Sequence, residues 1–210
     1  SGLSMSNHSD KLALFDFDGT LYKYDSILSF CFFYYQKKPQ RIWRFIKQVF
    51  SWLLWKFKRI NTSEFKSRFI CFIEGDTQIE VERMARLFWE NNTSFNSEIL
   101  LELKRCQAEN LCPVVVSASP DLFILPACKN LGIEHVIATT LTIDNRGYVL
   151  GVNCRGTEKI TRLLNVFPSQ KIAIAYSDNH DDLPLLQVAE QGFLVKNGAI
   201  RSITNVGDFH

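Results

Sequence analysis

The stretch Lys11-Leu12-Ala13-Leu14-Phe15-Asp16-Phe17-Asp18-Gly19-Thr20-Leu21 decides how this chain folds. Residues 11–15 form a short, mostly apolar run, the length of a buried strand rather than a helix. The run ends on Asp16, so the carboxyl end of the strand presents acid. Side chains alternate along an extended chain, which sends Asp16 and Asp18 to the same side. Two carboxylates that close repel unless a cation or a shared proton holds them. A hard, oxygen-liganding metal such as magnesium suits such a pair. So does a division of labour between a nucleophile and a proton donor. Gly19 lets the backbone turn sharply and approach a ligand closely. The plain structural alternative is a strand-end turn capped by Asp.

Working outward, two similar runs follow. Residues 113–116 (PVVV) lead into Ser117-Ala118-Ser119-Pro120, and residues 171–176 (KIAIAY) lead into Ser177-Asp178-Asn179. A weaker fourth run spans 192–195. Helical patterns at about 94–110, 121–131, 156–165 and 181–190 separate them. Strands alternating with helices predict an α/β fold: a doubly wound, Rossmann-like parallel sheet covered on both faces. In such sheets the site lies at the carboxyl ends of the strands. Residues 138–152 read as a β-hairpin turning at Asp144-Asn145-Arg146-Gly147.

Residues 25–91 differ in character. They are rich in aromatic and basic residues at helical spacing, with little strand signal. Asn61-Thr62-Ser63 before Glu64 marks a helix start, and Gly75-Asp76-Thr77 a junction between helices. This predicts a helical insertion at 25–91 within a core made of 5–24 and 92–210. Residues 1–4 read as an appended remnant before Met5.

The composition sets bounds. A length of 210 residues suits one core with a modest insertion, and a net charge of +2 predicts no nucleic-acid partner. None of the six cysteines has C-x-x-C spacing, which argues against a zinc site and for reduced thiols in a cytoplasmic protein. No apolar stretch reaches the roughly 18 residues of a membrane span.

The hexapeptide Asp16 to Leu21 resembles the first motif of the haloacid dehalogenase superfamily, D-x-D-G-T-[LV]. That superfamily has three further motifs in order, and each has a counterpart here. Ser117 ends the second apolar strand in VVVSAS. Lys159 lies in GTEKI. Asp178 and Asp182 form an acidic pair after KIAIAY, with Ser177 where Gly is usual.

The resemblance implies a chemistry. Asp16 is the nucleophile and forms an acyl phosphate, while Asp18 protonates the leaving alkoxide and then activates water. Magnesium is held by the Asp16 carboxylate, the Asp18 backbone carbonyl and Asp178, with Asp182 in support. Ser117, Ala118, Gly19 and Lys159 bind the phosphoryl group. Dehalogenase members lack the second Asp, so Asp18 favours phosphate chemistry.

The insertion resembles the C1-type cap of the superfamily, which closes over the site and supplies specificity contacts. S-A-S-P at 117–120, the hairpin before Cys154-Arg155-Gly156-Thr157-Glu158-Lys159, and Tyr176 to Leu186 look like subclass IB, which contains phosphoserine phosphatases and bacterial phosphatidylglycerophosphate phosphatases. Gly19 and Asp25 depart from the phosphoserine pattern, which usually has Ser and a nearby Glu. A lipid phosphate is therefore the first substrate expectation and a small metabolite such as phosphoserine the second. A phospho-receiver domain, or a silent membrane-binding protein on this fold, is the rival from another class.

Residues 37–59 carry eight Lys/Arg, no Asp or Glu, three Trp and three Phe. Read as a helix, their apolar side chains cover a wide arc, with Arg44, Lys47, Gln48, Ser51 and Lys58 opposite and Trp55 interrupting. Three readings stay open: peripheral contact with an anionic membrane, internal packing of the apolar arc, or attraction of anionic substrates. His180 sits among the acids of the fourth motif, where it either tunes them or faces solvent.

Overall fold

The computed structural model describes residues 11–203. The readings made for residues 1–10 and 204–210 lie outside that range. Strand β1 (Lys11–Phe15) is followed by four helices, α1 (Ser26–Lys37), α2 (Phe45–Lys56), α3 (Thr62–Phe69) and α4 (Gln78–Glu90). Short 3-10 turns precede α2 (Pro39–Arg44) and follow α3 (Ile70–Ile73). The chain then alternates: α5 (Ser97–Ala108), β2 (Cys112–Pro120), α6 (Asp121–Asn130) and β3 (His135–Thr139). A hairpin of β4 (Leu141–Asp144) and β5 (Gly147–Leu150) comes next. After it run α7 (Thr157–Val166), β6 (Lys171–Ser177), α8 (Leu183–Gln187), β7 (Gln191–Lys196) and β8 (Ala199–Ser202).

The main sheet has the order β3-β2-β1-β6-β7-β8, parallel except for β8. The expected α/β architecture is therefore present. β1 is central because it is buried on both faces. Ala13 and Phe15 enter one hydrophobic cluster with Val115, Ile174 and Tyr176, and Leu12 and Leu14 enter a second with Val114, Val116 and Ala175. A strand covered on both sides needs apolar residues at every position, which is what LALF provides. Phe15, Tyr176 and Phe193 stack across three neighbouring strands, with centroids 5.2 Å apart at each step. The chain builds outward from β1 to β3, then returns to the other side of β1 with β6. The strand order thus reverses at β1, which opens a crevice at the carboxyl ends of β1, β2 and β6.

The helices between β1 and β2 share the core of the sheet. Phe30 of α1 packs 4.7 Å from Phe123 of α6, and Trp89 Nε1 of α4 donates to the Phe123 carbonyl at 2.6 Å. Asp25, Asn61 and Thr77 cap α1, α3 and α4, so the starts read at 61–63 and 75–77 are where helices begin. Asp76 gathers Tyr34, Lys38 and Arg41, with Arg41 Nη2 at 2.7 Å and Lys38 Nζ at 2.9 Å.

Four details differ from the sequence reading. Residues 138–139 belong to β3, and the hairpin starts at Leu141, because the β-branched run from His135 pairs with β2 first. The helix expected at 181–190 is a 3-10 turn at His180–Asp182 plus the five-residue α8, since Pro184 sits at its start and β7 begins at Gln191. β8 has no counterpart among the expected strands. Residues 37–59 are two elements joined at Arg44 rather than one helix. The polar Gln48 and Ser51 face inward, and the apolar arc faces out. The arc is not packed internally because the inward side of α2 is taken by Gln48, which is hydrogen-bonded to Tyr35 and the Phe69 carbonyl.

Candidate active site

All eight residues singled out in the motifs line one crevice of about 380 Å³: Asp16, Asp18, Gly19, Ser117, Ala118, Lys159, Asp178 and Asp182. A larger cleft of about 840 Å³ lies between α4 and α6 and contains none of them. The crevice sits at the strand ends where the order reverses.

Asp16 is fixed by its neighbours. Its backbone N–H extends the ladder to the Tyr176 carbonyl at 2.9 Å, and its Oδ1 accepts from the Phe17 N–H at 2.8 Å. Lys159 Nζ lies 3.0 Å from the same Oδ1 and 2.6 Å from Asp182 Oδ2. Burial alone would weaken the Lys159 ammonium, but Asp16 and Asp182 outweigh it and raise its pKa, so it stays charged. Phe17 is fully buried and meets Trp89 edge-on at 5.6 Å, so it packs rather than reacts.

Asp18 is held by partners of its own. Its Oδ1 accepts from the Ser26 N–H at 2.8 Å, and its Oδ2 accepts from the Ser119 hydroxyl. Burial, and then the charge of Asp25, push its carboxyl up to about 7. A carboxyl in that range can hold a proton near neutrality and release it.

Thr20 joins the first motif to the last. Its Oγ1 accepts from the Asp178 N–H at 3.0 Å. Gly19, at φ +72°, brings the backbone so close that a β-carbon there would meet Asp178 Oδ2 at 2.0 Å. Asp178 stands at the crevice mouth. Partial burial, and then the Asp16 charge, push its carboxyl up to about 6. That mutual repulsion is what a divalent cation would relieve.

The donor set fits a hard cation. Asp16 and Asp178 offer oxygen, and Gly19, having no β-carbon, lets the Asp178 carboxylate lie against the backbone. Among the described residues no three His, Cys, Asp or Glu side chains converge as a metal cluster. A cation here would therefore take two carboxylates, with backbone oxygen and water completing the shell, the pattern magnesium favours. The side chain of Asp182 is turned onto Lys159 and onto Ser177 Oγ at 2.7 Å, and its Oδ1 is buried with no hydrogen-bond partner among the described residues.

Several contacts carried no signal in the sequence. Ser177 Oγ, at the position where Gly is usual, lies 3.2 Å from Asp16 Oδ2 and ties β6 to the tip of β1. Ser26 and Ser119 form a hydroxyl pair, 2.9 Å apart, behind Asp18. Lys66 of α3 reaches the crevice rim, donating to the Ala118 carbonyl at 3.3 Å and Asn153 Oδ1 at 3.2 Å. It is one lysine among many on a basic helical segment, and only the fold selects it. Ser117 is buried, and its Oγ accepts from the Ser119 N–H at 3.1 Å. His180 is exposed and does not line the crevice.

The sequence profile of haloacid dehalogenase-like hydrolases matches residues 13–187, which include every one of these crevice residues. The chain belongs to that family. The hydrolase is 30% identical to protein CicA of Caulobacter vibrioides over 200 residues, 91% of this chain and 89% of CicA. Among solved structures, it superposes on a Bordetella pertussis Tohama I protein of unknown function with a TM-score of 0.71, at 19% identity, covering 84% of this chain and 86% of that one. It also superposes on phosphoserine phosphatase, solved as an analogue of its phospho-aspartyl intermediate, with a TM-score of 0.54 and 17% identity over 85% and 83% of the two chains. At those identities the two structures speak for the fold of the hydrolase alone.

Proposed function

We propose that this hydrolase is a magnesium-dependent phosphomonoesterase that works through an aspartyl-phosphate on Asp16. The observation that carries the reading is the pairing of a buried Lys159 with Asp16 at 3.0 Å, in the same crevice as Asp178 and a separately held Asp18.

In the first step an Asp16 oxygen attacks phosphorus as the bond from phosphorus to the ester oxygen breaks. Asp18 gives its proton to the departing alkoxide. In the second step the Asp18 carboxylate takes a proton from water. The water oxygen bonds to phosphorus, the Asp16 oxygen leaves, and inorganic phosphate is released. Lys159 keeps positive charge beside the nucleophile, and Ser117, Ala118 and Gly19 surround the phosphoryl oxygens. Magnesium would be held by Asp16, the Asp18 backbone carbonyl and Asp178, supplying charge that lets one anion approach another. Asp182 supports it indirectly by fixing Lys159.

Helices α1 to α4, residues 25–91, act in this reading as a cap of the C1 type over the core. Lys66, Lys23 and Arg155 add positive charge around the crevice mouth, which suits an anionic ester. A lipid phosphate such as phosphatidylglycerophosphate is the preferred substrate, within subclass IB. Phosphoserine is second, and the departures at Gly19 and Asp25 count against it. The six free cysteines suit a reducing compartment such as the cytoplasm.

The test is a substrate panel of an aryl phosphate, phosphoserine and phosphatidylglycerophosphate, with magnesium and with a chelator. Turnover of at least one ester, lost on chelation, is expected. No turnover of any ester by folded protein would end the proposal.

A further inference from the structure

The helix α2 is built inside out. Gln48 and Ser51 are almost fully buried, at 2% and 4% exposure, while Ile46, Phe50 and Phe57 are exposed at 72%, 59% and 70%. Ile46, Phe50, Leu53 and Phe57 recur at helical spacing and form a single stripe about 17 Å long.

The inverted register is fixed by polar bonds. Gln48 Nε2 donates to the Phe69 carbonyl at 2.7 Å, and its Oε1 accepts from the Tyr35 hydroxyl at 2.9 Å. Rotating the helix to bury the stripe would break both bonds and leave buried polar groups unpaired. A helix that spends its interior face on Gln and Ser, and its outer face on Ile, Phe and Leu, is made to meet something apolar outside the fold.

The charges around the stripe say what that is. Residues 37–59 contain no Asp or Glu. Arg41 and Lys38 turn inward to Asp76, and Lys47 pairs with Glu74 at 3.0 Å. Lys56, Lys58 and Arg59 remain exposed at the C-terminal end of the stripe. Lys56 Nζ lies 4.9 Å over the ring of Trp52, and Trp43 and Trp55 are also exposed. Apolar side chains bordered by Trp and Lys match the interfacial layer of an anionic bilayer. A second copy of this chain would bring the same positive rim against itself. No described helix is long and apolar enough to cross a membrane, so the contact would be with one leaflet.

We infer that the outer face of α2, with the 3-10 turn before it, docks the protein on an anionic lipid surface. The inference does not depend on the proposed reaction. Trp55 stacks on Phe65 of α3 at 5.3 Å, next to Lys66 at the crevice rim, so the docked face and the crevice lie on adjoining helices.

Co-sedimentation of the full chain with phosphatidylcholine vesicles, with and without phosphatidylglycerol, tests it. The wild type should pellet with anionic vesicles at low salt and much less with neutral ones. The variant I46S/F50S/F57S should stay in the supernatant with an unchanged melting temperature. The variant K56E/K58E/R59E should lose affinity by about a hundredfold or more, since each basic residue near an anionic surface contributes roughly fivefold. Three results would overturn the inference: wild type that ignores anionic vesicles at low salt, undiminished binding by the serine variant, or light scattering that shows a dimer which the serine variant splits.

Discussion

Lys159 Nζ lies 3.0 Å from Asp16 Oδ1, and neither side chain is more than 9% exposed. The two residues stand on a helix and just past the end of a strand, 143 positions apart in the chain, and Asp182 also holds the ammonium at 2.6 Å. Lys159→Met would leave two buried carboxylates without their cation. Activity should fall by about a hundredfold or more, the scale seen when a charge-stabilising group is lost. Stability near neutral pH should fall by about 3 kcal/mol. Turnover assays and urea unfolding measure the two effects separately.

Asp18 is held by Ser26 and Ser119, and burial, with the charge of Asp25, pushes its carboxyl up to about 7. If it protonates the departing oxygen, its loss should matter most for poor leaving groups. Asp18→Asn is expected to slow the single-turnover phosphorylation of Asp16 by an alkyl phosphate by about 10³-fold and by a nitrophenyl phosphate far less, while the later water step slows for both. Equal losses in the phosphorylation step would remove Asp18 from the role of proton donor to the departing oxygen.

Gly19 is at φ +72°, and its missing side chain makes room for Asp178. Gly19→Ala should strain the turn and push Asp178 aside, because a β-carbon would meet its carboxylate oxygen at 2.0 Å. The magnesium concentration for half-maximal activity should rise by about tenfold. Unchanged magnesium dependence in a folded variant would show that Asp178 takes no part in holding the ion.

Asp76 makes a prediction about pH. Burial would raise its pKa, but hydrogen bonds from Arg41, Tyr34 and Lys38 outweigh burial and hold it below the ordinary 3.8. A depressed carboxyl contributes stability that is present above its unfolded pKa and lost as pH falls through the folded one. The wild type should therefore lose stability steeply below about pH 4, and Asp76→Asn should be less stable at pH 7 by about 3 kcal/mol with a shallower acid limb. Thermal melts across pH 2.5 to 7, at intervals of about half a unit, would show it.

Much of this site can be read from local sequence because each piece lies at the end of a strand. LALF, VVV and IAIAY are almost wholly buried, so continuous apolar runs mark them, and a polar residue one or two positions past each run falls at the crevice. Asp16, Ser117 and Asp178 are all found this way. Lys66 is not, because a helix surface lysine carries no local sign of which one bends over a distant strand end. Ser177 reads as a tolerated variation at a glycine position, and only the fold shows its hydroxyl between Asp16 and Asp182. The facing of α2 is hidden for a different reason. Periodicity finds an apolar arc but assumes that the arc points inward, and tertiary hydrogen bonds to Gln48 decide otherwise. β3 and β8 are short and border a hairpin or an edge, where the alternation is too brief to fix a boundary.

The central claim is that Asp16 carries the phosphoryl group during turnover. Acid quenching of the enzyme while it hydrolyses an aryl phosphate, followed by peptide mass spectrometry, tests this most directly. The account predicts one phosphoryl group on the peptide of residues 12–23, at Asp16, labile to hydroxylamine and absent from Asp16→Asn, which should also be inactive. A phosphoryl group on any other residue, or full turnover by Asp16→Asn, would contradict it.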